Sequence, residues 1–415
     1  MKILFVADGR SPISKNWIRH FAERGDEVYL ASTFACEVDF PLKRLEFTPV
    51  AFSAVKKQTF TPAQRSGSSR SVSLRTLLRQ WVGPLTIARS ARKLRTFIQE
   101  VQPDIVHALR VPYEGMLTAA ALTGGRVAPN EVRGVSRPKF IVSVWGNDFT
   151  LHAPSTPLMG YFTRKTMKAV DALHADCERD IRLARTWGLG VDKPTLVTPG
   201  NGGIRSDVFY PPKEPVTNPV IINPRGFRSY VKNEAFFKSI PLVLAKRSDA
   251  RFICSSMAGE SQALQWMKDL KIEHAVQLNP PLSHAQMGDV FRGAQIVVSP
   301  SIHDGTPNSL LEGMACGCFP IAGDLESIRE WITSAQNGLL VDPGNPQAIA
   351  DAILIALERE DLRHEAAGLN TKIISARGEY TQNMKLAGEF YELVIGYSPI
   401  TNYQSLITDF LRRPQ

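Results

Sequence analysis

Uninterrupted apolar runs of about five residues, separated by stretches with helical periodicity, are what most limits the folds open to this chain. A strand buried on both faces reads as a continuous apolar run, whereas a sheet with one wet face alternates. The series opens with Ile3–Ala7, an amphipathic segment over Trp17–Arg24, a break at Gly25 and a second run at Glu27–Ser32. It continues through Pro103–His107, a helical stretch at Tyr113–Leu122, and Phe140–Val144, which ends at Trp145-Gly146-Asn147-Asp148. Strand–helix alternation of this kind predicts an α/β fold, with doubly wound parallel sheets covered by helices on both faces. Between Thr198 and Pro219 breakers accumulate, and then the pattern restarts at Val220–Ile222, Arg251–Cys254, Ala275–Leu278, Gln295–Ser299 and Cys318–Ala322. Two Rossmann-like domains are expected, 1–205 and 206–395, with the segment 396–415 packing back on the first. A length of 415 residues supplies a core for each.

The net charge of +9 is local. Between Glu46 and Glu100 no acidic residue occurs, while ten basic ones do; the rest of the chain carries 39 basic against 40 acidic residues. Part of this stretch, 61–73, is rich in Ser, Arg and Gly and reads as a loop. Residues 74–98 read instead as basic amphipathic helix. Leu74, Leu77, Leu78, Trp81 and Leu85 form an apolar stripe, continued beyond Gly83-Pro84 by Ile87, Ala91, Leu94 and Ile98. Arg75, Arg79, Arg89, Arg92, Lys93 and Arg95 supply the other side. Such a segment fits an anionic membrane surface, or a domain core with a solvated basic back. Nucleic-acid binding is not expected, because no nucleic-acid motif accompanies the charge. The opening apolar run is too short for a signal peptide, and no window is long enough to span a membrane. Five scattered cysteines (Cys36, Cys177, Cys254, Cys316, Cys318) favour neither zinc nor a disulfide framework. The expected setting is the cytoplasm, with peripheral attachment to the inner face of the cytoplasmic membrane as an additional reading.

The nucleotide motifs with familiar spacing are missing. After the first strand stands Asp8-Gly9-Arg10-Ser11-Pro12-Ile13, with one glycine where a dinucleotide turn needs three. No Gly-Lys-Ser/Thr occurs, and no Asp-x-Asp pair that would clamp a metal on a nucleotide sugar. The segment from Val297 to Pro320 is more informative. A buried strand ends in Ser299-Pro300-Ser301, a turn carries Asp304-Gly305-Thr306-Pro307, and a helix opens near Asn308-Ser309. Amides at a helix start attract anions, and Glu312 lies about one turn in. Amides for an anion and carboxylates for hydroxyls together suit a ligand bearing both phosphate and sugar.

This run resembles the E-x7-E region of retaining GT-B glycosyltransferases of family GT4. Asp304-Gly305-Thr306-Pro307 and Glu312-Gly313-Met314-Ala315-Cys316-Gly317, followed by Pro320, match in order, and Asn337-Gly338-Leu339-Leu340-Val341-Asp342-Pro343 agrees downstream. The resemblance implies a GT-B fold, two doubly wound domains facing a cleft, and transfer of a hexose-type sugar from a nucleotide-diphosphate sugar to an acceptor hydroxyl with retention. The acceptor is expected to be a lipid-linked or envelope glycan precursor. By the same resemblance Glu312 holds the donor ribose, Asp304 stands near the donor sugar, and Gly305, Thr306, Pro307, Asn308 and Ser309 form the amide-lined turn. Arg225, Arg228 and Lys232, in the loop after Val220–Ile222, are the nominated diphosphate cations. They depart from the family spacing, since Arg225 and Lys232 are seven apart and Arg228 and Lys232 four. No metal and no other cofactor are expected, because helix amides and cationic side chains can neutralise a departing diphosphate. Val144-Trp145-Gly146-Asn147-Asp148 looks like the family's H-G-x-D segment with Trp145 in place of histidine. Asp148 joins Asp304, Arg225 and Lys232 as a catalytic candidate, accepting a hydroxyl of donor or acceptor, and Gly146, His107, Gly9 and Arg10 are the candidates on the acceptor side. A GT-B epimerase or phosphorylase, and a non-enzymatic basic membrane- or nucleic-acid-binding protein, remain as alternatives.

Overall fold

The computed structural model describes residues 1–51, 53, 81–124 and 137–396. The expectations for 61–73, for residues 74–80 of the basic stretch and, apart from Gly396, for the segment 396–415 therefore lie outside the described residues. Among the described residues the chain divides into two compact units. Met1–Gly202 belongs to one together with the chain from Met384 to the end of the last helix, and Gly203–Asn383 forms the other.

In the first unit the apolar runs become β1 (Lys2–Ala7), β2 (Glu27–Ser32), β3 (Arg44–Phe47), β4 (Ile105–Leu109), β5 (Lys139–Val144), β6 (Ala172–Ala175) and β7 (Thr195–Val197). They form one parallel sheet in the order β3-β2-β1-β4-β5-β6-β7. The order reverses between β1 and β4, where Ile3 pairs with Ile105 and Val6 with Ala108. Between β1 and β2 runs the helix Pro12–Glu23. Ser11 caps it by accepting from the Ser14 amide, and Pro12 supplies the fixed φ of the first helical position. This helix buries Trp17, Ile18 and Phe21.

The second unit contains β8 (Val220–Asn223), β9 (Arg251–Cys254), β10 (Val276–Leu278), β11 (Ile296–Ser299), β12 (Phe319–Gly323) and β13 (Leu339–Val341). Its parallel sheet has the order β10-β9-β8-β11-β12-β13 and reverses between β8 and β11. Apolar clusters line both faces. One gathers Phe236, Phe237, Phe252 and Ile353, the other Val297, Leu310, Met314 and Trp331. In a doubly wound sheet, the loops at the carboxyl ends of strands on either side of the reversal leave a crevice for ligand.

The second half of the basic stretch is core. The helix Ile87–Val101 buries Ile87, Ala91, Leu94, Phe97, Ile98 and Val101. Its cations are partly committed to the fold: Lys93 pairs with Glu46 at 2.7 Å, and Arg95 donates to the Ala121 and Ala120 carbonyls at 2.8 and 3.1 Å. Trp81 and Leu85, just before it, are 57% and 66% exposed. The stripe expected on one surface is thus split, with its later part inside. No helix among the described residues is long and apolar enough to cross a membrane.

Candidate functional site

The β8–β11 reversal of the second unit is built from two loops stitched together. Asn223, at the end of β8, donates to Asn233 Oδ1 at 3.0 Å and accepts from the Arg225 amide at 3.1 Å, while Asn233 donates to the Gly226 carbonyl at 2.8 Å. Both asparagines are buried, so the turn between them is fixed from inside, and Gly226 takes its positive φ of 60°. The far end of this loop docks on β11's exit: the Lys232 amide donates to the Pro300 carbonyl at 2.8 Å and the Ile302 amide to the Tyr230 carbonyl at 2.9 Å.

This stitching carries Arg225 to the turn after β11. Its guanidinium bonds Asp304 Oδ2 at 2.5 Å and Ser309 Oγ at 3.2 Å. Thr306 accepts from Trp331 Nε1 at 3.0 Å, and Ser327 Oγ donates to the Asp304 carbonyl at 2.8 Å, which hold the turn against the domain. The helix Asn308–Ala315 follows, with Pro307 at its N-cap and no side-chain cap. Glu312, on that helix, is 8% exposed, and its carboxylate makes no hydrogen bond or ion pair among the described residues. Burial pushes its pKa up to about 7, opposed by the nearby charge of Arg225. Four further buried polar atoms at these strand ends find no partner among the described residues: Arg225 Nε, Asn308 Oδ1, Ser255 Oγ and Ser301 Oγ. Buried polar groups are ordinarily satisfied, so such a concentration marks a place shaped for a polar ligand. Arg228 and Lys232 stand exposed beside it; Arg228 Nε donates to the Arg225 carbonyl at 3.3 Å, and Lys232 Nζ makes no ion pair among the described residues. The structure therefore brings together Arg225, Asp304, Gly305, Thr306, Pro307, Asn308, Ser309 and Glu312.

The first unit changes two expectations. His107 does not lie at an open strand end. It is fully buried within β4, with Nδ1 against the Tyr391 hydroxyl and Nε2 2.9 Å from Ser143 Oγ. Both ring nitrogens are occupied by the fold, and none is left for an acceptor. Asp148 is likewise fully buried. It receives Arg110 at 2.7 and 3.1 Å and the Val111 amide at 3.1 Å, so it organises the loop after β4 instead of meeting a sugar hydroxyl. Gly146 donates its amide to Asp176 at 3.2 Å and accepts from Arg179 at 2.7 Å.

Gly9 and Arg10 follow β1, beside this unit's own reversal. A Cβ at Gly9 would stand 2.3 Å from Cys36 Sγ and 3.0 Å from Ser32 Oγ, so only glycine fits without movement. Arg10 pairs with Asp8 at 2.8 Å and lies over the Phe34 ring at 3.5 Å. Sequence reasoning missed Arg110. It sits across the same reversal with φ 143°, and Tyr113 follows with φ 69°; two such conformations in one short loop mark stored strain. Trp145, which stands where the family has histidine, has a buried Nε1 with no partner among the described residues. Asp176, Cys177 and Asp180 are close enough for one cation, with candidate ligand atoms within 4.8 Å of one another. Arg179, buried among them and 2.8 Å from Asp180, already supplies the positive charge a metal would bring.

Two parallel-sheet α/β domains with ligand-shaped loops at the strand reversals define a GT-B fold. Solved structures agree. Sucrose-phosphate synthase from Thermosynechococcus elongatus superposes with a TM-score of 0.71 at 12% identity, covering 96% of this chain and 100% of that one. HepE of Anabaena, in complex with UDP and glucose, gives 0.66 at 14% identity over 94% and 98%. Family models add the sequence side: "Glycosyl transferase 4-like domain" matches residues 12–202 and "Glycosyl transferases group 1" residues 220–359. The chain belongs to the GT4-like, group 1 glycosyltransferases. Among curated relatives, D-inositol 3-phosphate glycosyltransferase of Xylanimonas cellulosilytica is 24% identical over 51% of this chain. The N,N'-diacetylbacillosaminyl-diphospho-undecaprenol alpha-1,3-N-acetylgalactosaminyltransferase of Campylobacter jejuni is 35% identical over 18% of this chain and 20% of its own. The match spans about half, 54%, of the Xylanimonas protein.

Proposed function

We propose that this chain transfers a hexose-type sugar from a nucleotide-diphosphate sugar to an acceptor hydroxyl with retention at the anomeric carbon. The observation that carries this reading is the presence, at one strand reversal, of a buried carboxylate, Glu312, and a guanidinium Nε, that of Arg225, neither with a partner among the described residues. Glu312 accepts the ribose hydroxyls. Arg225, with exposed Arg228 and Lys232 and the uncapped helix amides after Pro307, meets the diphosphate as its negative charge grows on leaving. The proton of the acceptor hydroxyl passes to the departing phosphate oxygen. No metal takes part in this scheme, and activity is expected to survive chelation of divalent cations. The HepE complex with UDP and glucose gives the fold a precedent for this ligand class.

A thermal-shift screen with nucleoside diphosphates and nucleotide sugars tests the donor side, because a ligand of the native state raises its melting midpoint. Acceptor-dependent release of nucleoside diphosphate tests the transfer. Release without acceptor, or a sugar interconverted while still attached to nucleotide, would favour an epimerase or another GT-B reaction.

The acceptor is proposed to be a lipid-linked glycan precursor met at the inner face of the cytoplasmic membrane. Exposed Trp81, Val82 and Leu85, followed by exposed Arg89 and Arg92, give the apolar and cationic parts that binding to anionic lipid requires. Trp81→Ala with Leu85→Ala is expected to abolish sedimentation with anionic vesicles and to leave nucleotide affinity unchanged; equal sedimentation of the variant would remove the membrane from the proposal.

A further inference from the structure

Resting on the nucleotide-sugar reading above, we propose that Asp304 is a positioning residue for Arg225, and that it acts on the donor's diphosphate through that arginine instead of touching the transferred sugar. The two residues are 79 positions apart and meet where β8 and β11 diverge. Their side chains are 10% and 14% exposed, so the 2.5 Å pair is mostly shielded from water. A charge-assisted bond in that setting is much stronger than one from a neutral hydroxyl. The bond ties Oδ2 of Asp304 to the arginine and so sets the orientation of both side chains.

The geometry also says what the pair accomplishes. Asp304 holds one terminal nitrogen of Arg225 and Ser309 Oγ the other, at 3.2 Å. The third nitrogen, Nε, is buried and has no acceptor among the described residues. Two of the five guanidinium N–H donors are thus held by the fold, which fixes the plane of the group and leaves the others, Nε–H among them, to meet an anion. Asp304 is itself fixed, since its carbonyl accepts from Ser327 Oγ at 2.8 Å and the next turn is pinned by the bond between Thr306 and Trp331. An aspartate reaches one methylene less far than a glutamate, which suits contact with the adjacent Arg225 more than reach across the turn.

The test compares two ligands on the same full chain: a nucleoside diphosphate, which lacks the sugar, and the corresponding nucleotide sugar. Asp304→Asn keeps the side-chain shape and removes the charge. It is expected to weaken both ligands by the same factor, roughly tenfold, the scale of one hydrogen bond to a charged group. Asp304→Glu is expected to recover part of the loss, and supplies the same two-ligand comparison if the asparagine variant does not fold. In an Arg225→Lys background, Asp304→Asn should add almost nothing, because the residue it positions is gone. Loss confined to the nucleotide sugar would overturn the proposal and make Asp304 a sugar contact. Unchanged or tighter diphosphate binding would overturn it as well, by showing that Asp304 only repels the ligand. A wild-type chain that binds neither ligand would sink the donor-site reading itself.

Discussion

The role proposed for Glu312 depends on what surrounds its side chain. Removed from water with only Arg225's charge near it, its carboxyl ionises at about 7 instead of in the usual acid range. Ribose hydroxyls donate, so they favour the ionised form, and binding must release a proton from the fraction still protonated. Affinity for a nucleotide sugar is therefore expected to rise several-fold between about pH 6 and about pH 8 and then level off. Titration calorimetry in two buffers of different ionisation enthalpy would measure the released proton. Glu312→Gln should weaken binding by roughly tenfold or more and flatten that pH dependence, since its amide has no proton to lose. Much of this residue's role is legible in the sequence, because Asp304, the turn and Glu312 lie within nine consecutive positions and a helix of known pitch relates them. Arg225's bond to Asp304 is not legible, because only the pairing of β8 with β11 brings them together. His107 and Asp148 mislead for a related reason. A sequence locates a residue at a strand end, while whether it faces a ligand or the interior depends on what packs over it.

At the level of the element, the helix Asn308–Ala315 presses directly on the strand that leads into the site. A Cβ at Gly313 would lie 2.9 to 3.2 Å from three atoms of Val297, a branched core residue with no room to retreat. Gly313→Ala should thus destabilise the second unit by about 1–3 kcal/mol in denaturant unfolding, despite alanine's better helix propensity. It should also weaken nucleotide binding, because the helix start moves with its body. The long apolar runs announced β1, β2, β5, β8, β9 and β11 through their composition. The four-residue β3, with half its residues exposed, and the three-residue β7 carry too little apolar pattern to stand out. The stripe of the helix Ile87–Val101 was legible as a stripe, but periodicity is the same for a face on lipid and a face on a core.

The first unit as a whole depends on a buried hydrogen-bonded chain that runs across three strands to the residue just past β7. Trp17 Nε1 donates to the Tyr391 hydroxyl at 3.0 Å, which meets His107; Ser143 links His107 to His174 at 2.9 and 2.8 Å, and His174 reaches Thr198 at 3.0 Å. Tyr391 comes from the helix Tyr380–Ile395, the last among the described residues, and stacks on Phe21 at 4.5 Å, so that helix is tied into the unit built by the chain's first residues. Burial holds His107 well below its ordinary pKa, where a charge would also be repelled by His174 once that ring is protonated, and burial holds His174 down at about 4. Both histidines are neutral when folded and take up protons when unfolded below about pH 6.5. Stability is then fully present above that value and is lost as pH falls from about 6.5 towards 4. Melting temperature should drop over that window, and His174→Asn should lessen the drop even where it lowers stability at neutral pH. Tyr391→Phe should cost about 1–3 kcal/mol, because it leaves the Trp17 and His107 nitrogens without a partner.

The amino-acid order alone determined the parallel α/β class, the restart of the pattern after a breaker-rich stretch, the family, and the turn-and-helix that carries Glu312. Each depends on residues near one another along the chain, where spacing translates directly into geometry. Only the tertiary structure decided that Arg225 is gripped by Asp304, that His107 and Asp148 serve the fold, that Arg110 sits across the reversal from Gly9, and that the later half of the basic stripe is core. Those outcomes depend on burial and on partners tens to hundreds of residues away, which become physical facts when the sheets close over them.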